Sequence, residues 1–216
     1  MPRFLRPLLL ALTLAAPLSA RARSDAPTVA LTPAALGDAL SCRSAAAAQA
    51  FASALFLDTT PPAWMRKAKG DKATRGMIGL YGYTLREPVD LLGQKVDRVY
   101  FLKDWVLALL PRAQAEAFVT AQRLKRAPIA ITRQYYRFID PESGPMLGAF
   151  EPTGDMVAAM LAGAFGEKAP PPPPADRLFV GCNYTPASEA DFLDAARQSA
   201  ALVDQATRDV TEAVRQ

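Results

Sequence analysis

"GLYGYTLREPVDLLGQKVDRVYFLKDWVLALL", residues 79–110, holds three runs of leucine, valine and aromatic side chains separated by polar, turn-forming residues. Residues 79–85 and 96–102 have the composition of strands, and Leu92-Gly93-Gln94 between them supplies a tight turn. Lys103-Asp104 is a second turn, leading into the apolar run 105–110. Strands joined by turns this short pair with their sequence neighbours, so the stretch is expected to be an antiparallel meander. Gly79 and Gly82 lie within the first run and mark a position for a bulge.

Outward from the meander the period changes. Pro111 suits the first position of a helix, where its missing N–H is not needed, and Ala117, Phe118, Ala121 and Leu124 form a helical stripe. The β-branched and aromatic run 129–139 is expected to be a strand closed by the turn Asp140-Pro141-Glu142-Ser143-Gly144, with 146–150 as its hairpin partner. A short helix is expected over 156–165, and the proline run 170–174 reads as a polyproline II connector. A further strand over 177–184 leads into a long final helix, started by Thr185-Pro186 or by the capping pair Ser188 and Asp191. Upstream of the meander, Ser44 caps a helix whose stripe is Ala48, Phe51, Ala52 and Leu55, and Thr59-Thr60-Pro61-Pro62 ends it.

The fold class is therefore α+β: a mainly antiparallel sheet made of a meander, a hairpin and one late strand, with helices packed on one face and a long C-terminal helix. Residues 1–22 are expected to be a signal peptide, 23–40 an irregular mature N-terminus, and 41–216 a single domain with a Pro-rich connector at 169–175. The leader reading rests on Arg3 and Arg6 ahead of the short apolar run 8–16, followed by the small-residue stretch Ser19-Ala20-Arg21-Ala22. Cleavage after Ala20 or Ala22 fits it. No later segment approaches the apolar length of a transmembrane helix. The expected location is thus periplasmic or secreted.

Charge and composition exclude several functions. Removing 1–22 takes away Arg3, Arg6 and Arg21 and no acid, so the formal charge falls from +4 to +1. That removes the case for nucleic-acid binding. The chain has no histidine, which excludes Ser-His and Cys-His catalysis; with only two cysteines, it also argues against a zinc site. No metal and no cofactor are expected.

The two cysteines, Cys42 and Cys182, form an even pair in an exported chain and are expected to make a disulfide. Strand alternation places Leu178, Val180, Cys182 and Tyr184 on one face, with Cys182 turned toward the core and the first helix. There is no C-x-x-C pattern for an exchanging disulfide. Asn183-Tyr184-Thr185 has the spelling of a glycosylation sequon, but it lies in a strand with Pro186 directly after it, so no glycan is expected.

Two groups of residues are candidates for binding. Arg133, Tyr135 and Arg137 share one face of their strand, and two guanidiniums flanking a phenol suit a carboxylate, phosphate or sugar; the competing expectation is a solvated outer face of a sheet. Arg66, Lys67, Lys69, Lys72 and Arg75 form a basic loop suited to anionic polymers or lipid headgroups, with Trp64 beside it; the competing expectation is a mobile charged loop. The expected function is that of a non-catalytic cell-envelope protein binding an envelope protein or an anionic ligand. One alternative is a glycan hydrolase with a carboxylate pair drawn from Glu87, Asp90, Asp97, Asp104, Asp140, Glu142, Glu151 and Asp155. Another is a structural homodimer through the final helix, whose Phe192, Ala196, Ser199, Val203, Ala206, Val210 and Ala213 follow a heptad spacing.

Overall fold

A computed structural model describes residues 29–70, 72–129, 132–154 and 175–215, without the side chains of 72, 203, 204 and 206–215. The elements, in chain order, are α1 (Pro33–Leu40), α2 (Ala45–Ala52), β1 (Met65–Lys67), β2 (Leu80–Leu91), β3 (Gln94–Leu102), β4 (Trp105–Pro111), α3 (Arg112–Ala121), β5 (Lys125–Arg126), β6 (Gln134–Phe138), β7 (Met146–Phe150), β8 (Arg177–Asn183) and α4 (Glu189–Arg215). A π turn, Ser53–Leu57, prolongs α2. The class is α+β, as the sequence implies.

The strands form one eight-stranded antiparallel sheet in the order β1-β2-β3-β4-β8-β7-β6-β5. The meander β2-β3-β4 forms where expected: Leu92 (φ 50°) and Gly93 (φ 93°) make the first turn, and the Asp90 carboxylate accepts the Gly93 N–H at 3.1 Å. After β4, helix α3 carries the chain across to the far edge, and β5 to β8 return as successive antiparallel neighbours until β8 pairs with β4. The centre of the sheet thus joins two strand groups that are distant in sequence.

Helices α1, α2 and α3 pack on one face. Leu36, Leu40, Phe51 and Phe118 meet Leu91, Val99, Phe101, Leu178 and Val180 in the main core. On the opposite face Phe179, Leu107 and Tyr100 form a second cluster. The first turns of α4 add a layer there, with Phe192 against Tyr136 at 4.8 Å between ring centroids.

Several local expectations are corrected. Residues 33–40, assigned to an irregular N-terminus, are helical: Thr32 accepts the Ala35 N–H as N-cap and Pro33 occupies the first turn. Gly37 lets this helix touch the sheet, because a Cβ there would lie 2.8 Å from the Asp90 carbonyl oxygen. The basic segment begins as a strand, β1, and among the described residues of the run 129–139 strand is confined to Gln134–Phe138. Pro111 closes β4 and stands at the N-cap of α3 rather than its first helical position. Ser188 and Asp191, not Thr185 and Pro186, start α4 through reciprocal hydrogen bonds. The leader, the helix expected at 156–165 and the proline run 170–174 lie outside the described residues.

The expected disulfide is present: Cys42 and Cys182 are bonded, with Cα atoms 5.1 Å apart. Cys182 faces the main core, as strand alternation requires. It ties the turn between α1 and α2 to the central strand β8.

Candidate functional site

The outer face of β1, β2 and β3 carries a concentration of positive charge built by register. Arg66 pairs across to Thr84, and Thr84 pairs to Arg98, so the three form one row across three strands. Arg86 lies two residues beyond Thr84, on the same side of β2. Between Thr84 and Val89 the β2–β3 register shifts. Pro88 falls within the shift, has no N–H to donate to a ladder, and so suits a bulge. The Arg86 N–H turns instead to the Trp64 carbonyl at 2.9 Å, which draws residue 64 alongside.

Trp64, Arg66, Thr84, Leu85 and Arg86 line a pocket of ≈ 260 Å³. Its indole wall is fixed from behind. The Trp64 ring N–H donates to the Leu31 carbonyl at 3.2 Å, and the ring meets Phe51 edge-on at 6.0 Å. Leu85, which also contributes to the lining, is buried in the main core. Arg66, Thr84 and Arg86 are exposed. Neither Arg66 nor Arg86 forms an ion pair with a described carboxylate. Two guanidiniums, a hydroxyl and an aromatic wall are the groups that bind a carboxylate or phosphate through paired hydrogen bonds.

The other sequence candidates do not converge on this pocket. Lys67, opposite Tyr83, alternates to the other face of β1. Lys69 and Arg75 are exposed further along the chain, and the Lys72 side chain is outside the described set. Tyr135 and Arg137 share a side of β6, with Arg133 just before the strand, but it is the helix-bearing side: Tyr135 packs against the main core. Arg137 stands in the row of Leu147 and Cys182, half-buried, with its Nε enclosed and without a hydrogen-bond partner. Arg133 is exposed.

Four of the candidate carboxylates have local roles. Asp90 serves the β2–β3 turn and pairs with Lys95 at 3.6 Å. Asp104 accepts the Thr185 hydroxyl at 2.9 Å. Asp140 accepts from the Ser143 hydroxyl and the Glu142 N–H, and those bonds hold its carboxyl below the usual range. Glu151 pairs with Arg112 at 2.8 Å. Glu87, Asp97 and Glu142 are exposed, and Asp155 lies outside the described residues. Among the described residues no group of three or more His, Cys, Asp or Glu side chains is placed to hold a metal ion.

Arg86 and Arg98 were not singled out in the sequence. The available signal was the strand period, which puts Thr84 and Arg86 on one side; the alignment of Arg66 and Arg98 with them depends on pairing that no local pattern encodes. Comparison of the chain with protein-family models, curated proteins and solved structures finds no match, so the functional reading rests on the site.

Proposed function

We propose that the protein is an exported, non-catalytic component of the cell envelope that binds a small anionic ligand at the outer face of β1–β2. The observation that carries this reading is the pocket in which the exposed Arg66 and Arg86 have no carboxylate partner among the described residues, while Trp64, Thr84 and Leu85 complete its lining. Its volume of ≈ 260 Å³ lies just under the roughly 300–1,000 Å³ of drug-sized sites. That size suits a compact carboxylate or phosphate, or the charged end of a longer molecule. Export is supported by the disulfide, a bond that persists in oxidising compartments, and by the arginine-led apolar run at the N-terminus. No single helix among the described residues is long and apolar enough to cross a membrane.

The test is a titration of isotopically labelled protein with inorganic phosphate and, separately, with citrate, followed by amide and indole resonances. The Trp64 indole N–H and the amides of Arg66 and Arg86 are expected to shift and saturate, and the shifts to vanish in an Arg66→Gln, Arg86→Gln variant. Unmoved resonances at these positions with both anions would sink the proposal.

A further inference from the structure

A second surface lies at the end of the sheet where β2 begins. Among the described residues Ile78 is 91% exposed and Leu57 79% exposed, with Tyr81 at 44% beside them. These are not scattered side chains. Phe56, next to Leu57 at the end of the π turn, meets Tyr81 in a tilted ring contact at 5.0 Å and reaches inward to Phe101 at 6.0 Å. Ile78 stands in the turn directly before β2, three residues from Tyr81. Of the apolar tips, Leu57 is therefore carried beside an aromatic support rooted in the core, and Ile78 on the turn that leads into the strand of Tyr81.

Cations surround these tips. The Ala68 N–H donates to the Gly82 carbonyl, which brings Lys69 level with Tyr81. Lys103 occupies the turn after Leu102, and Leu102 is the pairing partner of Leu80. Arg75 precedes the turn that carries Ile78. All three are exposed and make no ion pair with a described residue. Among the described residues the acids at this end are Asp58, exposed, and Asp104, which accepts the Thr185 hydroxyl.

We infer that this end of the sheet docks on an anionic lipid bilayer, with Leu57 and Ile78 entering the acyl boundary, Tyr81 at headgroup level, and Lys69, Arg75 and Lys103 against lipid phosphates. Protruding aliphatic tips ringed by cations match the layered chemistry of a bilayer interface, apolar below and anionic above. They match a protein partner less well, since that calls for a flat or concave apolar core with a mixed polar rim. The surface is separate from the arginine pocket, which opens beside Trp64 at the other end of β1.

Flotation of the protein, as cells export it, with phosphatidylglycerol-containing vesicles and with neutral phosphatidylcholine vesicles tests this. Binding is expected to the anionic vesicles and to weaken with salt. Replacing both Leu57→Asp and Ile78→Asp is expected to lower partition by about a hundredfold, roughly tenfold for each apolar anchor lost. The Arg66→Gln, Arg86→Gln variant keeps vesicle binding, so loss of one reading does not carry the other with it. A local readout accompanies these variants: tryptophan placed by Leu57→Trp or Ile78→Trp is quenched by brominated lipid, and tryptophan placed by Lys95→Trp at the opposite end of the β2–β3 hairpin is not. Equal binding to neutral vesicles, retention of binding by the double aspartate variant, or equal quenching at all three positions overturns the inference. So does failure to bind vesicles at all, which would assign the patch to a protein partner.

Discussion

Gly181 sits where β8 comes closest to β4. A Cβ there would lie 2.1 Å from the Val106 carbonyl oxygen, and its φ of 154° is one that L side chains rarely adopt. The contact is backbone on backbone at the seam between the two strand groups, so Gly181→Ala is expected to destabilise the fold by about 3 kcal/mol or more, measured as a shift in the urea midpoint. Three residues on, Tyr184 buries its phenol and donates to the Ala39 carbonyl at 2.7 Å. Burial pushes its pKa well above the ordinary phenol value, and burial also raises Tyr83 and Tyr136. A phenol that holds its proton more tightly when folded contributes stability that is complete below the unfolded pKa of about 10 and is lost as pH rises beyond it. Unfolding midpoints are therefore expected to fall steeply above that pH. Tyr184→Phe lacks the hydroxyl, so it should be less stable than the parent at neutral pH by about 1–2 kcal/mol, and the gap should narrow as the solution becomes alkaline. A gap that stays constant across that range would refute the assignment to Tyr184.

Elements show the same physics in groups, and Arg112 is the strongest case. Its guanidinium pairs with Glu151 at 2.8 Å and Glu116 at 3.5 Å and donates to the Ala175 carbonyl, joining the start of α3 to the end of β7 and the approach to β8. The Glu151 hydrogen bond is the main reason its pKa is raised. Arg112→Met keeps the aliphatic stem but leaves Glu151 and the Ala175 carbonyl without that donor, at an expected loss of about 2 kcal/mol. An unchanged thermal midpoint would show that the cluster contributes nothing. Such links also explain what the sequence reveals. The meander was legible because its turns are encoded locally, by Leu92-Gly93 and Lys103-Asp104, and because strand period and composition agree. Helix α1 was missed because its cap, Thr32-Pro33, is the only strong local mark on an eight-residue helix. Strands β1 and β5 exist through pairing with β2 and β6, and elements of two or three residues carry no strand period of their own. The pocket is half legible: Arg66 and Trp64 stand out in the sequence, whereas Arg86 joins them beside a register shift. The two cysteines were legible by their number alone.

At the scale of the whole molecule, the disulfide adds a covalent cross-link between parts that strand pairing, packing and the Tyr184–Ala39 hydrogen bond also hold together. The β1–β4 group and the β5–β8 group meet along β4–β8. Cys42 lies in the helical layer that precedes the first group, Cys182 lies in the last strand of the second, and 140 residues of sequence separate them. A constraint across so long a loop acts mainly on the unfolded chain, where it removes up to about 5 kcal/mol of loop-closure entropy in the chain-entropy picture. Packing at the junction is already dense, with Cys182, Val180, Leu178 and Ala39 all at 0% exposure, so the native fold does not need the bond to define its shape. A Cys42→Ser, Cys182→Ser variant is therefore expected to keep the native circular dichroism spectrum while its denaturation midpoint falls by an amount matching 2–5 kcal/mol, within the range of about 0–5 for such bonds. The parent should fall to the same midpoint under full reduction and the variant should be insensitive to reductant. A variant that loses its fold would mean that the bond dictates native packing, and a variant as stable as the parent would mean that the unfolded chain is already held compact by other contacts.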